Sequence, residues 1–195
     1  MMKKRISSVF IVTVIFSLLM ANSASAYATW GFTLTGGVKD RYYYVDPSNP
    51  KFSTITSAVA AWNTIDPVYI SPSQFSSTDV AFYYTSSVLS SQIDFYTSDY
   101  GTTGWYGLTL FYNGTSMYPA GSGPTGPYTW CKIQLNSTSS YPAPTNTWLA
   151  IAIHEMGHAL GLAHFSGSIM DAGIAGLTTP SGLTSDDING IRSLY

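Results

Sequence analysis

His154-Glu155-Met156-Gly157-His158-Ala159-Leu160-Gly161-Leu162-Ala163-His164 is the stretch from which the rest of the chain is read. His154 and His158 stand four residues apart, so on a helix both imidazoles project from one face, one turn apart. Two rings so placed reach a single zinc ion at about 2.0–2.1 Å. Gly161 then lets the chain leave the helix and turn back, because glycine takes the left-handed conformation past a helix end most easily. That turn brings His164 to the same ion. Three nitrogens leave the fourth tetrahedral position open to water, as a catalytic zinc site requires. A closed structural site needs a fourth protein ligand, and the single cysteine, Cys131, lies in a different segment.

Glu155 follows the first ligand directly, so its carboxylate sits beside the metal without binding it. Zinc lowers the pKa of its water to about 7, and a neighbouring carboxylate can take the proton. Glu155 can return that proton to a leaving amine. The chemistry indicated is peptide-bond hydrolysis without a covalent intermediate. Composition makes the signal specific: the chain has three histidines and one glutamate, and all four are in this motif. Random shuffling yields the five fixed positions on the order of once in ten million trials, far below ordinary motif matches. A metal site kept only for structure has no use for the glutamate.

Working outward, a helix is expected to start after Thr145-Asn146 and run through Leu160, with Leu149, Ala152, Ile153, Met156 and Leu160 as its buried stripe. Near the C-terminus, Thr184 and Asp187 have the spacing of a capping box, and Asp186 adds negative charge at the positive end of a last short helix. Upstream, Tyr42-Tyr43-Tyr44-Val45 reads as a strand closed by Asp46-Pro47-Ser48-Asn49-Pro50. Ile55, Ala58, Val59 and Trp62 recur at helical spacing, with Ser53 or Thr54 as the cap and Asp66-Pro67 as the stop. Residues 80–84, 93–96, 108–112 and 131–135 read as strands, and the Gly/Pro-rich residues 117–128 as a loop. The order is strand, helix, several strands, helix, loop, helix. That is an α/β (α+β) sandwich with helices on one sheet.

The motif from His154 to His164 resembles the metzincin signature, most closely its matrixin branch. Ser168-Ile169-Met170 is similar to the Met-turn of that family, with Met170 beneath the ligands; on spacing alone Met170 is a core methionine. The ending, Leu183-Thr184-Ser185-Asp186-Asp187-Ile188-Asn189-Gly190-Ile191 with Leu194-Tyr195, resembles the terminal helix of matrixin catalytic domains. The Ala60-Ala61-Trp62 helix and Asp79-Val80-Ala81-Phe82 fit its early part more loosely. The resemblance implies a twisted, mostly parallel five-stranded sheet with helices on one side, an active-site helix, a Met-turn and a C-terminal helix. It also implies one antiparallel edge strand above the cleft, beside which an extended substrate pairs as an added strand. Residues 108–112 are the candidate for that edge, an interior strand being the other reading. The implied activity is that of a zinc-dependent endopeptidase, with one catalytic zinc on His154, His158 and His164 and with Glu155 as general base.

The sequence departs from the family in several places. Strand and helix signals begin soon after Tyr27, leaving no room for a pro-segment with a zinc-capping cysteine, and Cys131 has the wrong context to replace it. No further histidine remains for a second, structural zinc. The segment from His164 to Met170 is short, Phe165 stands where serine is common, and Asp171-Ala172-Gly173 lacks the Pro-x-Tyr wall, so specificity does not carry over. Asp99, Gly101 and Gly104 have oxygens suited to calcium, but a Gly-rich turn is the favoured reading.

Lys3-Lys4-Arg5, the uncharged residues 6–20 and Ala24-Ser25-Ala26 have the form of an export signal with a cleavage site. The rival is an uncleaved anchor, for which the apolar run is short. The expectation is a leader over 1–26 and a single secreted, extracellular catalytic domain over 27–195, with an upper part to about 163 and a small lower part from about 164. The remaining 169 residues suit one core. They carry five basic residues (Lys39, Arg41, Lys51, Lys132 and Arg192) against ten acids, a net charge of −5 that provides no basic patch for nucleic acid. The expected partner is a protein or peptide substrate, with no stable membrane association after leader removal and a monomeric state. One cysteine allows no internal disulfide, and a small buried hydrophobe is the favoured reading of Cys131 over a reactive thiol. Asn113 and Asn136 head glycosylation sequons to which a Ser/Thr-rich chain gives no weight. Two rivals stand beside the peptidase reading: a binding module that keeps the metal for structure and adheres through its tyrosines, and a zinc hydrolase acting on non-protein amides.

Overall fold

In the computed structural model, residues 27–65, 80–138, 145–173 and 182–195 are described; the expected leader and the Asp66-Pro67 helix stop lie outside them. Six strands form one sheet: β1 (Arg41–Val45), β2 (Phe82–Thr85), β3 (Ile93–Ser98), β4 (Gly107–Asn113), β5 (Ser116–Met117) and β6 (Trp130–Asn136). Their spatial order is β2-β1-β3-β6-β4-β5. The first four in that order are parallel, with Tyr43 opposite Ile93 and Ile93 opposite Cys131. β4 runs antiparallel to β6, with Thr109 opposite Ile133. The sheet is thus mostly parallel, as expected. Its sixth strand, absent from the five-stranded expectation, is a two-residue return: the chain turns at Gly114, and Met117 pairs with Tyr112.

Three helices follow the expected order: α1 (Phe52–Asn63), α2 (Thr145–Ala159) and α3 (Ser185–Leu194). The strand alternation decides which face they cover. Tyr43, Val45, Phe82, Ile93, Phe95, Phe111, Cys131, Ile133 and Leu135 are buried in the core with the apolar faces of α1 and α2. The opposite face carries Tyr42 and Tyr83, both exposed, and Tyr96 with the Lys132 ammonium 4.8 Å from its ring centroid. Burial of the Cys131 thiol pushes its pKa well up, which suits a small hydrophobe and not a nucleophile.

α1 buries Ile55, Ala58, Val59 and Trp62 as its spacing predicts, and the Trp62 indole donates to the Ile153 carbonyl of α2 at 2.9 Å. Its start differs from expectation. Lys51 is the N-cap and makes no side-chain cap bond. Asn49 instead accepts from the Lys51 backbone N–H at 2.8 Å, so the chain turns into the helix earlier and leaves Ser53 and Thr54 inside the first turn. α2 differs more. Every residue from Ala150 to Leu162 is buried, so the segment has no solvent face. α1, β4 and β6 pack against it, Met170 lies against Gly157, and the Trp30 N–H donates to the Gly161 carbonyl at its end; small or apolar residues all round permit this enclosure. α3 has the expected capping box: Thr184 Oγ1 accepts from the Asp187 N–H at 3.3 Å, and Asp187 Oδ2 accepts from the Thr184 N–H at 2.8 Å.

Candidate metal centre and active site

α2 presents His154 and His158 one turn apart, with ring centroids 4.6 Å apart and planes nearly perpendicular. The helix then ends in paired backbone bonds: the Gly161 N–H donates to the His158 carbonyl at 2.8 Å and the Leu162 N–H to the Gly157 carbonyl at 3.0 Å. This closure needs a left-handed residue, and Gly161 supplies it at φ 102°. A Cβ there would stand 3.0 Å from the Phe32 carbonyl oxygen, so close approach also demands glycine. The turn returns the chain so that the His164 ring lies 5.2 Å from His154 and 4.8 Å from His158. The sequence-predicted ligands therefore converge, one ring nitrogen from each lying within 4.8 Å of the others.

Backbone carbonyls orient the two helical rings. His154 Nδ1 lies 2.8 Å from the Ile169 oxygen, and His158 Nδ1 lies 2.8 Å from the Leu162 oxygen. A carbonyl only accepts, so each Nδ1 carries the proton and each Nε2 keeps a lone pair for a metal. Burial pushes the His154 pKa down to about 4, against a smaller opposing effect of its bond to Ile169. Burial also holds His158 well below the ordinary histidine range and lowers His164, which is more exposed. Near neutral pH all three rings are uncharged, the form that ligates.

The donor set fits zinc. It consists of three neutral imidazoles, and the Nε2 atoms of His158 and His164 are 3.2 Å apart. Two nitrogens on one tetrahedral zinc at about 2.0–2.1 Å from it stand roughly 3.3 Å apart. Among the described residues, no fourth side chain joins the three to close the site.

Glu155 follows His154 on α2 and is buried; loss of solvent raises its pKa to about 7, while a hydrogen bond from Thr109 opposes the rise. Thr109 Oγ1 is 2.7 Å from Glu155 Oε2. Met170, the methionine of the Met-turn resemblance, is buried with its sulfur against Gly157 of α2. The Phe165 N–H donates to the Met170 carbonyl at 2.9 Å and closes the short segment after His164. Asp187 Oδ2 accepts from the Ile169 N–H at 3.3 Å, so the cap of α3 also holds the turn whose carbonyl orients His154.

Sequence reasoning missed Leu162, Ile169, Thr109 and Gly107. The first two act through backbone carbonyls, which no residue type announces. Strand alternation places Gly107 and Thr109 on one face of β4, but it does not say what lies opposite. The Asp99 loop is a turn in which Asp99 Oδ1 accepts from the Gly101 N–H at 2.8 Å, with Gly101 and Gly104 at positive φ. Asn136 is fully buried and its amide donates to the Gly101 carbonyl and Thr103 hydroxyl at 2.9 Å, so its sequon is inaccessible in the folded protein.

Comparison with known proteins agrees with this geometry. The sequence is 31% identical over 171 residues to Metalloendoproteinase 2-MMP of Arabidopsis thaliana, covering 80% of this chain and 41% of that protein. It is 48% identical over 48 residues to Metalloendoproteinase 1 of Glycine max, covering 24% of this chain and 16% of that one. The chain therefore spans less than half the length of these curated relatives. The Matrixin peptidase family profile matches residues 43–195, a span that takes in α1, all of the sheet but the first two residues of β1, the three histidines and α3. With most of the chain covered and the ligand trio in place, this protein belongs to the matrixin family.

Proposed function

We propose that this protein is a secreted zinc-dependent endopeptidase in which His154, His158 and His164 hold the metal and Glu155 is the general base. The observation that carries the reading is the convergence of three imidazole nitrogens within 4.8 Å, with the buried Glu155 directly following His154 in the chain. The names of the plant relatives, both metalloendoproteinases, support it. When bound, zinc supplies a Lewis acid that polarises the scissile carbonyl and acidifies the attacking water.

This chain's own residues supply the rest. The carbonyls of Ile169 and Leu162 keep the Nε2 lone pairs of His154 and His158 aimed inward. Glu155 accepts a proton from the attacking water and delivers it to the departing amine, work suited to an acid with a pKa near neutrality. β4 is the antiparallel edge except where β5 covers Tyr112 and Asn113, and no described strand lies beyond residues 107–110. An extended peptide can add there as a further strand, with backbone pairing giving affinity. Secretion is supported by the leader-like residues 1–26, and among the described residues no helix is long and apolar enough to cross a membrane. The Asp99 loop is read as a turn held by the Gly101 N–H on Asp99 Oδ1.

The test compares zinc-loaded wild type with Glu155→Gln on a denatured protein, with sequencing of the new ends. Equal zinc content with cleavage by wild type alone supports the proposal. Absence of cleavage by both favours the binding-module reading, to which the exposed Tyr42 and Tyr83 would then belong. Random peptides left intact while a non-protein amide is hydrolysed would favour a different zinc hydrolase.

A further inference from the structure

We infer that Thr109 is a positioning residue for Glu155, holding one carboxylate oxygen through its hydroxyl so that the other is left for the attacking water. The inference rests on the peptidase reading above and adds to it a residue outside the zinc-binding motif. Residues 107, 109 and 111 alternate onto the face of β4 that meets α2. Phe111 packs there against the Tyr128 ring, at 5.0 Å between centroids. Thr109 Oγ1 lies 2.7 Å from Glu155 Oε2 and 3.0 Å from the main-chain oxygen of the same residue. At Gly107 a Cβ would come within 2.5 Å of both Glu155 Cγ and Oε1. One strand thus frames the carboxylate twice: a donor meets Oε2, and an absent side chain makes room for Oε1.

The physical need is clear. Glutamate has three side-chain torsions, and enclosure removes the water that would otherwise solvate its charge. A donor at fixed position restores a hydrogen bond and selects one orientation. Threonine suits this work because it is branched at Cβ and has one torsion, which the pleated strand restricts. β6 anchors that strand in turn, with Ile133 opposite Thr109. General acid–base catalysis needs the oxygen within hydrogen-bond reach of the proton it takes, so a freely rotating carboxylate loses rate before it loses substrate affinity.

The experiment exploits a feature of the composition: Glu155 is the single glutamate of the chain, so protein labelled with δ-13C glutamate gives one carboxyl resonance. Wild type, Thr109→Val and Thr109→Ser are compared at fixed pH for that resonance, zinc content, melting temperature and peptide cleavage. Thr109→Val is expected to move the resonance and lower kcat roughly 10- to 100-fold, part of the 10²–10⁴ that general acid–base catalysis provides, with KM and zinc content near wild type. Thr109→Ser restores the hydroxyl and should return both readouts close to wild type. An unmoved resonance or an unchanged kcat in Thr109→Val overturns the inference. So does Thr109→Ser behaving like Thr109→Val, which would mean that packing matters and not the hydroxyl. Wild type that cuts nothing defeats the peptidase reading and the role given to Thr109, while the resonance still reports separately whether the hydrogen bond exists.

Discussion

The sulfur of Met170 occupies the space beside Gly157, in the last turn of α2. A Cβ on Gly157 would overlap that sulfur and lie 2.9 Å from Trp62 Cζ2. Glycine in a helix interior costs about 1 kcal/mol relative to alanine. Here it is kept because the helix and the Met-turn approach too closely for any side chain.

Gly157→Ala should therefore destabilise the protein despite its gain in helix propensity. Overpacking a core typically costs about 1–3 kcal/mol, more than the propensity it offsets. A melting temperature a few degrees below wild type is expected. One equal to or above it would show that Met170 and Trp62 move aside freely.

Removal of the metal should separate the roles of the three proposed ligands. His154 and His158 are buried, whereas His164 is on the exposed segment after the helix. His164→Ala should lose stoichiometric zinc yet melt at the temperature of chelator-treated wild type, since ligand binding is its main contribution. His158→Ala should melt lower still, because it also leaves the Leu162 carbonyl without its donor. Retention of full zinc by His164→Ala would contradict the assigned ligand set.

Burial of Glu155 predicts a pH dependence with a definite sign in the metal-free protein. Its folded pKa is raised from 4.5 to about 7, so between these values the folded state binds more protons than the unfolded state. Its contribution is thus present below pH 4.5 and is lost as pH rises through 7. At roughly 1.4 kcal/mol per pKa unit, metal-free Glu155→Gln should exceed metal-free wild type at pH 8 by up to about 3 kcal/mol. The advantage should shrink on acidification and be gone near pH 4.5. Denaturant melts across that range check it, and an advantage that grows toward acid pH would refute the sign.

Asp187 links the start of α3 to the Met-turn. Its Oδ2 accepts from the Thr184 hydroxyl at 2.7 Å, the Thr184 N–H at 2.8 Å and the Ile169 N–H at 3.3 Å. Asp187→Ala should lower zinc affinity by roughly 10-fold or more, as loss of outer-shell support does, because Ile169 then holds His154 less firmly. Thr184→Ala should cost about 1 kcal/mol of stability as a lost cap and leave zinc affinity close to wild type. Competition against a zinc chelator measures both, and equal affinities in the two variants would break the proposed link.

Local chemistry was legible in the linear chain. The four-residue step between His154 and His158, Gly161 at the helix end and the Thr184–Asp187 capping box all act within a few residues of each other. Helical geometry alone predicts them, and each is present in the fold. The apolar face of α1 and the main strands follow from the same short-range periodicities. What the tertiary structure decided lies between distant segments. Thr109 and Glu155 are 46 positions apart, and His154 and Ile169 are 15 apart. Burial of residues 150–162 on every side depends on which elements enclose them, and the edge that β4 leaves unpaired among the described residues depends on how far β5 extends. Periodicity assigns a residue to a face, but only packing determines which donor, carbonyl or empty space that face meets.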